Sequence, residues 1–110
     1  MHGEAMLPQP KPTGREHDVP YMLFVKTLPC AALSVEGHKC DGSPIQADHA
    51  GRRSLGRKCS DRETVPHCVR AHVQRESFSG PFREWPRERM REYLDAAIAA
   101  TQAAYERRAA

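Results

Sequence analysis

An acid and an imidazole stand side by side at Asp48-His49, inside the stretch IQADHAGRRS. An imidazole exchanges its proton near neutral pH, so His49 is suited to activating water. Adjacent Asp-His pairs also arise by chance, and the pair gains meaning only from what surrounds it. The chain supplies four cysteines, Cys30, Cys40, Cys59 and Cys68. In a reducing compartment these are thiols or metal ligands rather than disulfides. His72 follows Cys68 by four residues, so on a helix the two lie near one face. Arg52, Arg53, Arg57 and Lys58 crowd the segment after His49, and positions 49–60 hold no acid. Such a basic loop could contact phosphates, although basic runs are usually just solvated.

The elements that must position these residues are legible from patterning. IQADHA reads as a first strand, with Ile45, Ala47 and His49 on one side and Gln46 and Asp48 on the other. Neighbouring side chains on a regular strand point apart, so joint service by Asp48 and His49 predicts a bend or twist there. Residues 51–63 read as a polar loop. TVPH, residues 64–67, reads as a short second strand, which Pro66 confines to an edge or makes irregular. CVRAHVQRE then reads as a helix.

Upstream, Asp18 and Pro20 look like a helix start. Tyr21, Phe24, Val25 and Leu28 share one face, and Pro29 ends that helix just before Cys30. Downstream of SGPF, the clearest helix runs from Pro86 to about Arg108. Its apolar stripe is Met90, Tyr93, Leu94, Ala97, Ile98, Thr101, Ala104 and Tyr105. The stripe is expected to pack back on the rest, with Phe82 and Trp85 anchoring its start. Arg87, Arg89 and Arg91 near that start oppose the helix dipole mildly and are candidates to face nucleic acid.

Composition bounds the answer. A chain of 110 residues is one domain with a small core. Hydrophobic content of 39% and charged content of 28% are ordinary for a soluble protein, while only 6% is aromatic. Small cores often rely on a staple such as a metal. A net charge of +3 permits nucleic-acid binding without establishing it. No apolar run approaches transmembrane length and no secretory signal is evident, so a cytoplasmic location without membrane partners is expected. Residues 1–18, with Pro8, Pro10 and Pro12, read as a disordered arm. The expected organisation is this arm, a core over 19–82, and a C-terminal helix over 83–110 packing on it.

Taken in order, YMLFVKTLPC, Cys40, ADHAGRRSLGRKCSD and VPHCVRAH resemble the ββα-metal finger of HNH nucleases. The likeness is closest to a phage and prophage branch related to RecA-dependent recombination nucleases. It covers residues 20–82, and the ordered series is more specific than any one piece. The resemblance implies a small α+β domain, a ββα-metal finger flanked by an N-terminal helix and a long C-terminal helix. It implies a metal-dependent DNA endonuclease that hydrolyses phosphodiester bonds. His49 becomes the general base. Asp48 and His72 become ligands of a catalytic Mg²⁺ or Mn²⁺, with Zn²⁺ as an alternative occupant. Arg52, Arg53, Arg57 and Lys58 become DNA contacts. DNA is the implied partner, together with a recombinase or another phage recombination protein, and a homodimer would ease cutting of both strands.

The broader group often carries a structural zinc held by two C-x-x-C knuckles. Here the second positions are Leu33 and Ala71. Cys30, Cys40 and Cys68 remain as ligands, and the fourth is open between His67 and His38. Cys59 falls outside the pattern. Many relatives have two histidines where this chain has Ala71-His72, and Glu76 stands where some carry a further histidine. Asp61 matches an acid expected to order the loop, and Glu63 or Thr64 is near the place of the central Asn of the HNH name. His67 replaces a bulky apolar residue, which would loosen the core. These departures keep a rival open: a catalytically degenerate, zinc-stabilised DNA-binding module. A second rival is a small helical adaptor whose last helix binds a protein.

Overall fold

A computed structural model describes residues 17–52 and 59–108. The helices are α1 (Val19–Val25), α2 (Val69–Ser77) and α3 (Arg87–Arg108), and the strands are β1 (Ile45–His49) and β2 (Thr64–Cys68). Short 3-10 turns occupy Ala31–Ser34, Asp61–Glu63 and Gly80–Phe82. The result is a small α+β fold with a two-stranded antiparallel sheet and a long C-terminal helix. All but the last two residues of the expected arm lie outside the described residues.

Helix α1 begins where the Asp18 carboxylate accepts the Tyr21 N–H at 3.1 Å, and Pro20 sits in the first turn. It ends at Val25, earlier than the expected stop before Pro29. Turns then carry the chain onward, with the Leu28 N–H on the Val25 carbonyl at 3.1 Å. Tyr21 and Val25 are the fully buried members of its apolar face.

The strands pair from Ile45↔Cys68 through His49↔Thr64 with no residue out of step. No bulge breaks the pairing at Asp48-His49, so alternation holds there. Gln46, Asp48 and His67 share one face of the ribbon, while His49, Pro66 and Cys68 belong to the other. Pro66 is tolerated because each strand of a two-stranded ribbon is an edge. Every residue of β2 is nonetheless buried, because helices cover it.

Helix α2 starts at Cys68, whose sulfur accepts the Ala71 N–H at 3.4 Å, and ends at Phe78 in the left-handed region at φ 50. Helix α3 buries Met90, Leu94, Ile98 and Thr101 against a core that includes Val65, Cys68, Ala71 and Phe82. At its start Phe82, Trp85 and Tyr93 form one aromatic cluster, with ring centroids 4.9–5.8 Å apart. At its far end Tyr105 lies 4.8 Å from Tyr21 and 5.3 Å from Phe24. The Arg62 guanidinium lies over both the Tyr21 and Tyr105 rings, at 5.2 and 5.1 Å. Helices α1 and α3 thus grip the turn at Asp61–Glu63.

Candidate metal centre and the histidine site beside it

Four side chains distant in sequence converge at one end of the ribbon. Cys30 stands at the entry of the Ala31–Ser34 turn, and Cys68 joins β2 to α2. His38 and Cys40 come from the intervening loop. Gly37 turns that loop through the left-handed region at φ 90, where a side chain would be strained. The His38 Nε2 atom lies 3.8 Å from Cys30 Sγ, 3.4 Å from Cys40 Sγ and 3.7 Å from Cys68 Sγ. All four donor atoms lie within 4.8 Å of one another.

These separations match a tetrahedral ion. With Zn–S near 2.3 Å and Zn–N near 2.0 Å, a tetrahedron puts N and S about 3.5 Å apart. Backbone groups also favour thiolate there. The Cys68 N–H donates to Cys30 Sγ at 3.4 Å, and the Ala71 N–H donates to Cys68 Sγ. Burial raises the Cys68 thiol, but the Ala71 N–H and the neighbouring thiols outweigh it and bring it below its ordinary value. The Cys40 thiol is pushed up to about 12 by burial and by Cys68 and Cys30 beside it. Three thiolates repel one another unless a cation sits among them, so the set suits a soft divalent ion. Burial and the Arg70 charge lower the His38 imidazole, which favours the neutral ligand form. The Cys3His cluster could hold a metal such as zinc.

His67, one of the two candidates for the fourth ligand, is elsewhere. Its Nδ1 lies 2.8 Å from Asp48 Oδ2 and its Nε2 lies 2.8 Å from the Tyr93 hydroxyl. With both ring nitrogens engaged it has no lone pair to spare for the cysteines. Nor does it loosen the core as expected, because it is fully buried and satisfied. Cys59 is buried apart from the cluster.

Asp48 is almost completely buried, on the ribbon face that meets α2 and α3. The Arg75 guanidinium grips it in a two-pronged pair, through Nε to Oδ2 at 2.9 Å and through Nη2 to Oδ1. Burial would raise the Asp48 carboxyl, but the His67 and Arg75 bonds overcome that and hold it below the usual carboxylate value. His72 Nε2 lies 3.2 Å from Asp48 Oδ1 and 3.4 Å from Glu76 Oε2, while its Nδ1 meets Gln46 Oε1 at 2.7 Å. The structure thus brings Asp48 and His72 together.

The 3.2 Å at that pair is an ordinary ion-pair distance. Adjacent ligands of an octahedral ion with bonds near 2.1 Å lie about 3.0 Å apart. Occupancy is the difficulty, because Arg75 donates to the same Oδ1 and would have to give way. Among the described residues, no third histidine, cysteine or carboxylate joins this pair in a convergent set.

His49 has different partners. Its Nε2 lies 2.8 Å from Oδ1 of the buried Asp61, and its ring remains partly exposed. An ionised carboxylate only accepts, so in a neutral ring Nε2 carries the hydrogen and Nδ1 the lone pair, which meets no partner among the described residues. Burial pushes the Asp61 carboxyl up, and bonds from His49 and the Asp18 N–H more than reverse this. His49 and Asp48 share one link. Arg75 Nη2, besides Asp48, donates to the His49 carbonyl at 3.1 Å.

The loop residues divide. Arg53, Arg57 and Lys58 lie outside the described residues. Arg52 is exposed and reaches Asp95 Oδ2 at 3.2 Å. Arg52, Arg87 and Arg91 line one concavity with Glu88, Glu92 and Asp95, so its charge is balanced rather than basic. Arg91 donates to the Ala50 carbonyl, and Arg89 stacks on Trp85 at 4.1 Å, so both have structural tasks. Glu63 accepts the Ser60 N–H at 3.0 Å and Thr64 donates to the Asp61 carbonyl at 2.8 Å. Both order the turn that carries Asp61. Sequence reasoning missed Arg75 and Gln46. Each had a signal: Arg75 is three residues past His72 on a helix, and Gln46 is two before Asp48 on a strand.

No family model, curated protein or solved structure matches the chain.

Proposed function

We propose that this protein is a metal-dependent DNA endonuclease of the HNH type, built on a ββα-metal finger and stapled by zinc at Cys30, His38, Cys40 and Cys68. The observation that carries the reading is the placement of His49. Its ring is anchored through Nε2 and partly exposed, and Nδ1, which meets no partner among the described residues, would take a proton from water. One strand position away, on the opposite face of the ribbon, Asp48 meets His72 at an ion-pair distance that two ligands of one Mg²⁺ or Mn²⁺ ion would also show. Such an ion would neutralise charge on the phosphate and help the leaving oxygen depart. Arg75 spans the two halves, since it bonds both Asp48 and the His49 carbonyl. Arg52, with Arg53, Arg57 and Lys58, would steer the DNA backbone, and a phage recombination setting with a recombinase partner belongs to the same reading.

One observation favours a second reading, a non-catalytic DNA-binding module. Arg75 and His67 already satisfy both oxygens of Asp48, so that carboxylate has its counter-charge without an ion.

Relaxation of supercoiled plasmid separates the two. The wild type and His49→Ala, purified alike, are incubated with Mg²⁺, with Mn²⁺ and with chelator. Metal-dependent nicking that vanishes in His49→Ala is the expected result. DNA binding without nicking by either chain favours the binding module, and nicking that survives in His49→Ala removes His49 as the base.

A further inference from the structure

We infer that Asp61 is the positioning residue of His49: its buried carboxylate holds the imidazole in the tautomer with the hydrogen on Nε2 and the lone pair on Nδ1. The inference rests on the endonuclease reading for its catalytic consequence, and on geometry alone for the tautomer.

The carboxylate is committed on both oxygens. Oδ1 lies 2.8 Å from His49 Nε2, and Oδ2 accepts the Asp18 N–H at 2.9 Å. At 1% exposure it has almost no water to bond instead. His17, itself 70% exposed, stands 3.7 Å from Oδ2, too far for a hydrogen bond. A strong, water-free acceptor on one ring nitrogen selects the tautomer that donates to it.

The backbone around Asp61 is fixed independently of His49. The Ser60 side chain accepts the Arg62 N–H at 2.9 Å, Glu63 bonds back to the Ser60 N–H, and Thr64 donates to the Asp61 carbonyl. The same turn reaches the base strand, because the Glu63 carbonyl accepts the Ala50 N–H at 3.0 Å. His49 is therefore held by its ring through Asp61 and by the next peptide through Glu63. Asp18 extends the support, since it caps α1 and its side chain pairs with Arg62 at 2.8 Å. A rigid acceptor placed by a supporting shell is what a proton-accepting histidine needs to present one lone pair in one direction.

Two measurements test this on the zinc-loaded full chain. Nitrogen-15 NMR of the histidine side chains, with His49→Ala to assign the ring, is expected to show His49 as the Nε2–H tautomer. Asp61→Asn is expected to lose that single state. A wild-type His49 in the Nδ1–H form overturns the inference without any variant. In plasmid nicking with Mg²⁺, Asp61→Asn is expected to lower kcat by about 10²-fold with KM for DNA nearly unchanged. A fall in KM-related binding alone, or Asp61→Asn cutting at wild-type rate while His49→Ala is dead, also overturns it. If the wild type does not nick at all, the endonuclease reading fails, and the tautomer still decides the role of Asp61. Asp61→Glu checks folding: a longer carboxylate that keeps zinc and melting temperature but loses the tautomer supports a positional role.

Discussion

Two buried aspartates set the local physics at the residue scale. Asp48 has Arg75 and His67, and Asp61 has His49 and the Asp18 N–H. Both ionise more readily in the folded chain than in the unfolded one. Their contribution is complete above about pH 4, the ordinary aspartate value, and is lost as pH falls through their lower folded values. Urea midpoints taken between about pH 4 and pH 2 should thus fall more gently for Asp61→Asn than for the wild type. Arg75→Met should cost about 3 kcal/mol in the same assay, because it leaves the buried Asp48 charge with only the imidazoles of His67 and His72. The ligand set makes a sharper prediction. Zinc content should drop in His38→Ala and Cys68→Ser and stay at one ion per chain in His67→Ala and Cys59→Ser, as read by elemental analysis. The sequence carried the three cysteines clearly but left His38 and His67 open. Position along the chain does not say where a ring points, and the pairing register that turns His67 toward Asp48 and Tyr93 is a tertiary fact.

Patterning carried the elements further than it carried contacts. The stripe from Met90 to Tyr105 was legible because a 3.6-residue period sustained over 22 residues has no competing interpretation. Strand β1 was legible from alternation, and the same alternation places His49 and Asp48 on opposite faces. The bend or twist expected for that pair was an inference from function laid over a regular pattern, and the pairing there stays in register. Helix α1 stops early because the turn after Val25 satisfies its last carbonyls, with Lys26 and Thr27 donating back into the helix. Its docking to α3 depends on Tyr105, which meets Tyr21, Phe24 and the Arg62 guanidinium. Tyr105→Ala should cost about 2 kcal/mol, seen as a lower melting temperature, and should not change zinc content.

The whole molecule combines a small core with a four-ligand cluster, and α3 supplies a large part of that core. Excess chelator should therefore lower the melting temperature well beyond the effect of any single core truncation, with recovery on adding zinc back. Basic composition foretold less, because the cations near the described part of the loop are matched by Asp95, Glu88 and Glu92. Pairing of opposite charges is a property of the folded surface and leaves no trace in a net charge of +3. One atom links the cluster to the histidine site. Cys68 pairs with Ile45 in the last rung of the ribbon, and its sulfur belongs to the cluster and accepts the Ala71 amide at the start of the helix that bears His72 and Arg75. Solvent exchange at that single amide is thus a gauge of cluster occupancy. If the cluster binds zinc, the zinc-free chain should exchange faster at Ala71, and the orientation of His72 should loosen with it.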